Sequence, residues 1–166
     1  MKILVIGPSG SGKTYISSKL RESGINAIDA DLINCLSDWY DGAGNKVEYP
    51  IDADENFFGN HSFLWDRKFL KNYLDKNSDI YLFGSSGNMF EMLDLFDKTY
   101  FLKAGPLLLK ERLTHESREN PMGMTEYQRE NAAKWAIEIE KKAKDLGIEF
   151  IDATLSPEEI FKLIKQ

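Results

Sequence analysis

The stretch ILVIGPSGSGKT, residues 3–14, decides the fold. Ile3, Leu4, Val5 and Ile6 form an unbroken apolar run, the pattern of a strand buried on both faces. Gly7 ends it, and Gly7-Pro8-Ser9-Gly10-Ser11-Gly12-Lys13-Thr14 fits G-x-x-x-x-G-K-[ST]. Residues 14–23 then carry a helical reading that stops at Gly24. In such a strand-to-helix turn, glycines let successive backbone N–H groups face inward around phosphate oxygens, and the helix N-terminus adds positive potential. Lys13 would neutralise terminal phosphates, and Thr14 would offer its hydroxyl to Mg2+. The stretch predicts a nucleotide site for ATP and Mg2+.

Working outward, residues 25–28 read as a second short strand that ends in Asp29 and Asp31. Residues 32–60 mix aromatics, glycines and acids, and only short helical pieces are expected there. Residues 63–74 return to helical spacing, with Phe63, Phe69, Leu70, Tyr73 and Leu74 able to share a face. A third buried strand at 80–83 is cut off by Gly84-Ser85-Ser86-Gly87. Residues 89–96 suggest a short helix, and 99–102 a fourth strand. Pro106 suits the first turn of the next helix. Thr125 and Gln128 form a capping-box pattern for a long helix that Gly147 stops, and 148–151 is the fifth strand. Ser156-Pro157-Glu158-Glu159 opens the last helix with a cap, a first-turn proline and a reciprocal glutamate. Strands alternating with helices predict an α/β fold, with a parallel sheet covered on both sides in one domain spanning 1–166.

In motor and switch ATPases the Mg2+-associated carboxylate ends a later apolar strand. Here the run 80–83 ends in Gly84, so the nearest carboxylates are Asp29 and Asp31 of AIDAD. Alternate positions on a strand can face the same way, and strand carboxyl ends line the ligand crevice of a parallel sheet. Asp29 is read as a metal-shell residue beside Thr14, and Asp31 as the group that orients or deprotonates an acceptor hydroxyl. The pair could equally form a solvated turn or cap a helix from Leu32 onward.

A net charge of −6 argues against nucleic acid or an anionic membrane as the main partner, because both require concentrated Lys and Arg. No apolar run approaches membrane-spanning length. The single Cys35 cannot form an internal disulfide, which suits a cytoplasmic protein, and it reads as a small core residue. His61 and His115 have no metal-ligand spacing around them. Trp39, Tyr40, Phe57, Phe58 and Trp65 suit either a small local core or the walls of an acceptor pocket.

Taken in order along the chain, GPSGSGKT, AIDAD, GSSG, KERLTHESREN and IDATLSPEEI give a sequence that resembles the shikimate kinase and gluconate kinase branch of the adenylate-kinase-like P-loop small-molecule kinases. The resemblance implies a three-layer α/β/α fold with strand order 2-3-1-4-5. It also implies a helical acceptor-binding region at about 32–75, a short lid at about 112–125, and ATP-dependent transfer to an alcohol. By similarity, Lys13, Asp31 and Arg118 are catalytic, with Arg118 reaching the transferring phosphoryl group. Arg112, Asp152, Ala153 and Thr154 would flank the adenine, while Gly84, Ser85, Ser86 and Gly87, with Arg67 nearby, would meet the acceptor.

One departure bears on the acceptor. From 29 to 62 there are eight acids against the single Lys46, a net charge of −7, and an anionic acceptor would meet unfavourable potential there. The expected partner is therefore a small neutral or cationic hydroxyl compound, taken up by a monomer or homodimer. A nucleoside monophosphate kinase, and a nucleotide-binding regulator or slow ATPase with no acceptor, are the alternatives.

Overall fold

The computed structural model describes residues 1–114 and 123–166, so Arg118, His115 and most of the expected lid lie outside the described residues. Five strands, β1 (Lys2–Ile6), β2 (Ala27–Asp29), β6 (Ile80–Phe83), β7 (Lys98–Lys103) and β8 (Glu149–Asp152), form the main sheet. Three more, β3 (Ser37–Asp41), β4 (Lys46–Val47) and β5 (His61–Trp65), form a second. The helices are α1 (Lys13–Glu22), α2 (Glu55–Asn60), α3 (Arg67–Asp75), α4 (Pro106–Thr114), α5 (Glu126–Asp145) and α6 (Pro157–Ile164).

The main sheet runs β2-β6-β1-β7-β8 with every pairing parallel, which is the order 2-3-1-4-5 when its own strands are counted along the chain. β1 is central because its apolar residues can be covered on both faces. Ile3 and Val5 join Ile16 and Leu20 of α1 and Ile160 and Ile164 of α6 in one buried cluster. Leu4 and Ile6 turn the other way, to Leu70 and Leu74 of α3 and Ile139 and Ala143 of α5. Each fully buried aliphatic side chain of this kind contributes about 1.5–3 kcal/mol. Capping boxes at Thr125 with Gln128 and at Ser156 with Glu159 start α5 and α6 as expected. No helix among the described residues is long and apolar enough to cross a membrane.

The expectation of a helical acceptor region is corrected. Residues 37–65 build the antiparallel sheet β4-β3-β5, and only α2 within that span is an α-helix. The hairpin forms around Asp41, whose carboxylate accepts from the backbone N–H groups of Ala43 and Asn45 while Gly44 takes a φ of 84°. The helix expected over 63–74 begins only at Arg67, because Asp66 caps it by accepting from the Phe69 N–H at 2.8 Å. Residues 61–65 pair with β3 instead. Cys35 is exposed, with a φ of 68°, because the turn it occupies sends Ile33 and Leu36 inward in its place.

Candidate active site

The loop after β1 curls as its glycines allow. Gly10 and Gly12 have φ of 84° and 95°, a region that other residues enter at a cost, and Gly12 is the N-cap of α1. Lys13 Nζ lies back along the loop, donating to Gly7 O at 2.7 Å and Pro8 O at 2.9 Å. From the first turn of α1, Thr14 Oγ1 donates to Asp29 Oδ2 at 2.5 Å. Asp29 is buried at the carboxyl end of β2, and its other oxygen accepts from the Asp31 N–H at 3.0 Å. The hydroxyl and carboxylate expected around Mg2+ are therefore adjacent, a hard-oxygen set that leaves room for phosphate and water ligands.

Asp31 follows in a single 3-10 turn (Ala30–Leu32) and is exposed, so its carboxyl is available to a ligand. Partial desolvation in the crevice, then repulsion from the Asp29 carboxylate, push its pKa above the usual carboxylate range, against the opposing pull of Lys13. Lys13, Thr14, Asp29 and Asp31 thus interact as one group at the strand ends.

The turn Gly84-Ser85-Ser86-Gly87 lies beside this group and is knitted into the framework. Gly84 N–H donates to Val5 O, Ser85 Oγ donates to Gly7 O at 2.6 Å, and Gly87 N–H donates to Phe63 O at 2.7 Å. Ser86 is buried and donates to Asn88. Position 84 must be glycine: a Cβ there would stand 2.5 Å from Ala30 Cβ and 2.9 Å from Trp65 Cζ2.

On the other side of the loop, Arg112 of α4 donates to Gly10 O at 3.2 Å and Ala153 O at 3.5 Å, bridging the phosphate loop and the turn after β8. In that turn the Thr154 hydroxyl and N–H both bond Asp152, holding its carboxyl below the usual range, while Ala153 is buried. Arg67 is engaged elsewhere: its guanidinium forks onto the Asp94 carboxylate and also donates to Glu91 O. Tyr40, Arg67, Asn88 and others line a cleft of about 500 Å3 that shares no residue with the loop or with Asp29 and Asp31.

The aromatics are largely one another's partners. Trp39 packs on Tyr49, Phe57, Phe58 and Phe63 with ring centroids 5.1–5.8 Å apart, and Phe57 stacks on His61 at 4.3 Å. His61 Nδ1 is 2.8 Å from Phe57 O and donates to it. Tyr127 of α5 reaches Phe58 across the gap.

Asn88 and the second role of Gln128 escaped the sequence reading, whereas Trp65 stood there as local core or acceptor-pocket wall. Asn88 accepts from Trp65 N–H and donates to Trp65 O, fixing β5 against the glycine-rich turn. Buried Gln128 donates to Ile51 O and Ala53 O and accepts from the N–H groups of Gly123 and Met124, so one amide joins the second sheet's loop to the start of α5. Trp65 forms the wall behind Gly84. An asparagine directly after GSSG was the readable signal for the first, whereas a capping-box glutamine carries no sign of a second role.

Comparison with solved structures places this arrangement among P-loop kinase folds. The shikimate kinase from Acinetobacter baumannii in complex with shikimate superposes with a TM-score of 0.57 at 18% identity, over 98% of this chain and 92% of that one. The shikimate kinase from Bacteroides thetaiotaomicron gives 0.55 at 16% identity, over 99% and 98%. A gluconokinase from Sinorhizobium meliloti 1021 gives 0.53 at 14% identity, over 97% and 87%. At these identities the likeness is one of fold. No curated protein sequence matches the chain. The family model described as AAA domain matches residues 3–136, most of the chain including the phosphate loop, both aspartates and the glycine-rich turn. With the five-stranded parallel sheet and the loop at its central strand, this shows that the chain belongs to the AAA domain family of P-loop proteins.

Proposed function

We propose that the protein transfers the terminal phosphoryl group of ATP to a hydroxyl of a small neutral or cationic molecule. The observation that carries this reading is the pair at the end of β2. Asp29 is buried and bonded to the Thr14 hydroxyl, while Asp31, two residues on, is exposed with a raised pKa. Two carboxylates in such different surroundings suit two roles. Asp29 and Thr14 would hold Mg2+, and Asp31, a stronger proton acceptor than an ordinary aspartate, would take the proton of the attacking hydroxyl.

Bound MgATP supplies the phosphoryl group and neutralises its charge. Lys13 would exchange its loop carbonyls for phosphate oxygens, and the N–H groups of residues 9–14 would cradle the phosphates. Arg112 and the turn Asp152-Ala153-Thr154 would seat the adenine. Arg118 is assigned to the transferring phosphoryl group on sequence similarity alone. The acceptor would sit between Asp31 and residues 84–87.

The charge of the second sheet supports an uncharged or cationic acceptor. Its own Lys46 is paired with Asp38, and Arg67 with Asp94, so these two cations already have carboxylate partners. The test is ADP release from ATP and Mg2+ with nucleosides, polyols, sugars, amino sugars, nucleoside monophosphates and sugar acids. Stimulation by neutral or cationic members supports the reading, and stimulation by anionic members alone overturns the charge argument.

A further inference from the structure

Every buried polar group needs a partner or a reason to lack one. Among the described residues two buried side-chain atoms have none, Tyr49 OH and Trp65 Nε1. Tyr49 lies inside the aromatic cluster, but Trp65 stands at the proposed acceptor site. It is only 2% exposed, and the atoms of its indole closest to a Cβ built on Gly84 are Cζ2 and Cη2, at 2.9 and 3.5 Å. Nε1 is two bonds from Cζ2 on the same edge of the ring. Ala30, the residue between Asp29 and Asp31, closes on Gly84 from the other direction. The unpartnered N–H thus belongs to the ring that backs the glycine-rich turn, with Ala30, the residue between the two aspartates, packed against the same glycine.

We propose that Trp65 is a specificity-determining residue, whose indole N–H receives a second oxygen of the acceptor while Asp31 orients the hydroxyl to be phosphorylated. This rests on the proposed kinase reading and narrows it. Indole N–H donates only, and an ionised aspartate accepts only. With the two groups meeting different oxygens, the molecule must offer a hydroxyl to Asp31 and the lone pair of a second oxygen to the indole, as a polyol, a sugar or the ribose of a nucleoside does, whereas a monohydric alcohol has only one oxygen. The main chain of Trp65 is fixed by two hydrogen bonds to Asn88, which anchors β5 behind the glycine-rich turn. Nε1 is buried, so the contact requires the hydrogen bonds that tie residues 84–87 to Gly7 and Phe63 to yield locally as the acceptor seats.

The test compares wild type with Trp65→Phe, which keeps an aromatic ring and removes the donor. Polyols, sugars and nucleosides, each with its monodeoxy analogues, are titrated for direct binding by calorimetry and assayed for ADP release. Wild type is expected to bind the full compound at least about tenfold more tightly than the analogue missing the critical oxygen, and Trp65→Phe to bind the two alike. Discrimination that survives in Trp65→Phe, or is missing in wild type, overturns the inference and leaves the kinase reading standing. Trp65-dependent binding without phosphoryl transfer upholds the inference and sinks the kinase reading. If no compound binds wild type, both fall. If Trp65→Phe fails to fold, the deoxy analogues are titrated on wild type and Asp31→Asn: discrimination at a second oxygen that persists in Asp31→Asn upholds the inference, and discrimination confined to the oxygen that Asp31 meets overturns it.

Discussion

Gly84→Ala is the substitution whose cost follows most directly from the packing. The added methyl would lie 2.5 Å from Ala30 Cβ and 2.9 Å from Trp65 Cζ2. Neither neighbour can swing aside, since Ala30 Cβ is fixed to backbone and Trp65 is held by Asn88 and almost wholly buried. Overpacking of a dense interior costs about 1–3 kcal/mol. In a chain of 166 residues each kcal/mol lowers the midpoint by about 2–4 °C, so the expected fall is about 2–12 °C. Thermal and urea unfolding followed by circular dichroism measure it. Adding Ala30→Gly removes the closer contact and leaves the Trp65 one, so the double variant should recover part of the loss, with a coupling of about 0.5–3 kcal/mol. A Gly84→Ala protein as stable as wild type, or one that Ala30→Gly does not rescue at all, would refute the packing argument.

Other outcomes test the ligand and titration readings. Lys13→Ala should leave the melting profile near wild type while nucleotide-dependent turnover falls by on the order of 10²-fold; unchanged ATP affinity and turnover would count against the phosphate role. Arg112→Ala should weaken ATP binding about tenfold by releasing the bridge between Gly10 O and Ala153 O. Lysine should not restore it, because the two carbonyls are reached by separate guanidinium nitrogens. Asp31 titrates above its ordinary 3.8 in the fold, so the native state holds its proton more tightly. Its protonated form adds stability that is complete below the ordinary value and lost as pH rises through the raised one. Asp31→Asn should therefore melt higher than wild type at neutral pH, by a modest margin given the exposure of the side chain, and the gap should close toward a pH of about 4. Melts that diverge as pH falls would reverse the sign.

The main sheet was legible because its inner strands β1 and β6 are buried on both faces and carry unbroken apolar runs, Ile3 to Ile6 and Ile80–Phe83, and the helix caps farther along are well marked. The second sheet was not. Every residue of Ser37–Asp41 is half-buried, so SDWYD shows no alternation, and the turn chemistry of Asp41 and Gly44 was lost in a generally polar stretch. Phe63 happened to fall in helical phase with Phe69, Leu70, Tyr73 and Leu74. The cap at Asp66 was the better guide to where the helix starts. At the site, Lys13, Thr14, Asp29 and Asp31 were readable from spacing, since a short motif fixes their geometry. Trp65, Asn88 and Gln128 act across 23 to 77 positions of sequence, and beyond the place of Asn88 directly after GSSG nothing local marks such contacts.

Phosphoryl transfer measured against acceptor in wild type, Asp31→Asn and Asp29→Asn, with ATP affinity titrated in parallel over a range of Mg2+, tests the central claim most directly. The division of labour predicts that Asp31→Asn binds MgATP normally but transfers on the order of 10²-fold more slowly, whereas Asp29→Asn shifts the Mg2+ dependence. Two variants that behave alike, or an Asp31→Asn protein that keeps full transfer to the identified acceptor, would contradict it.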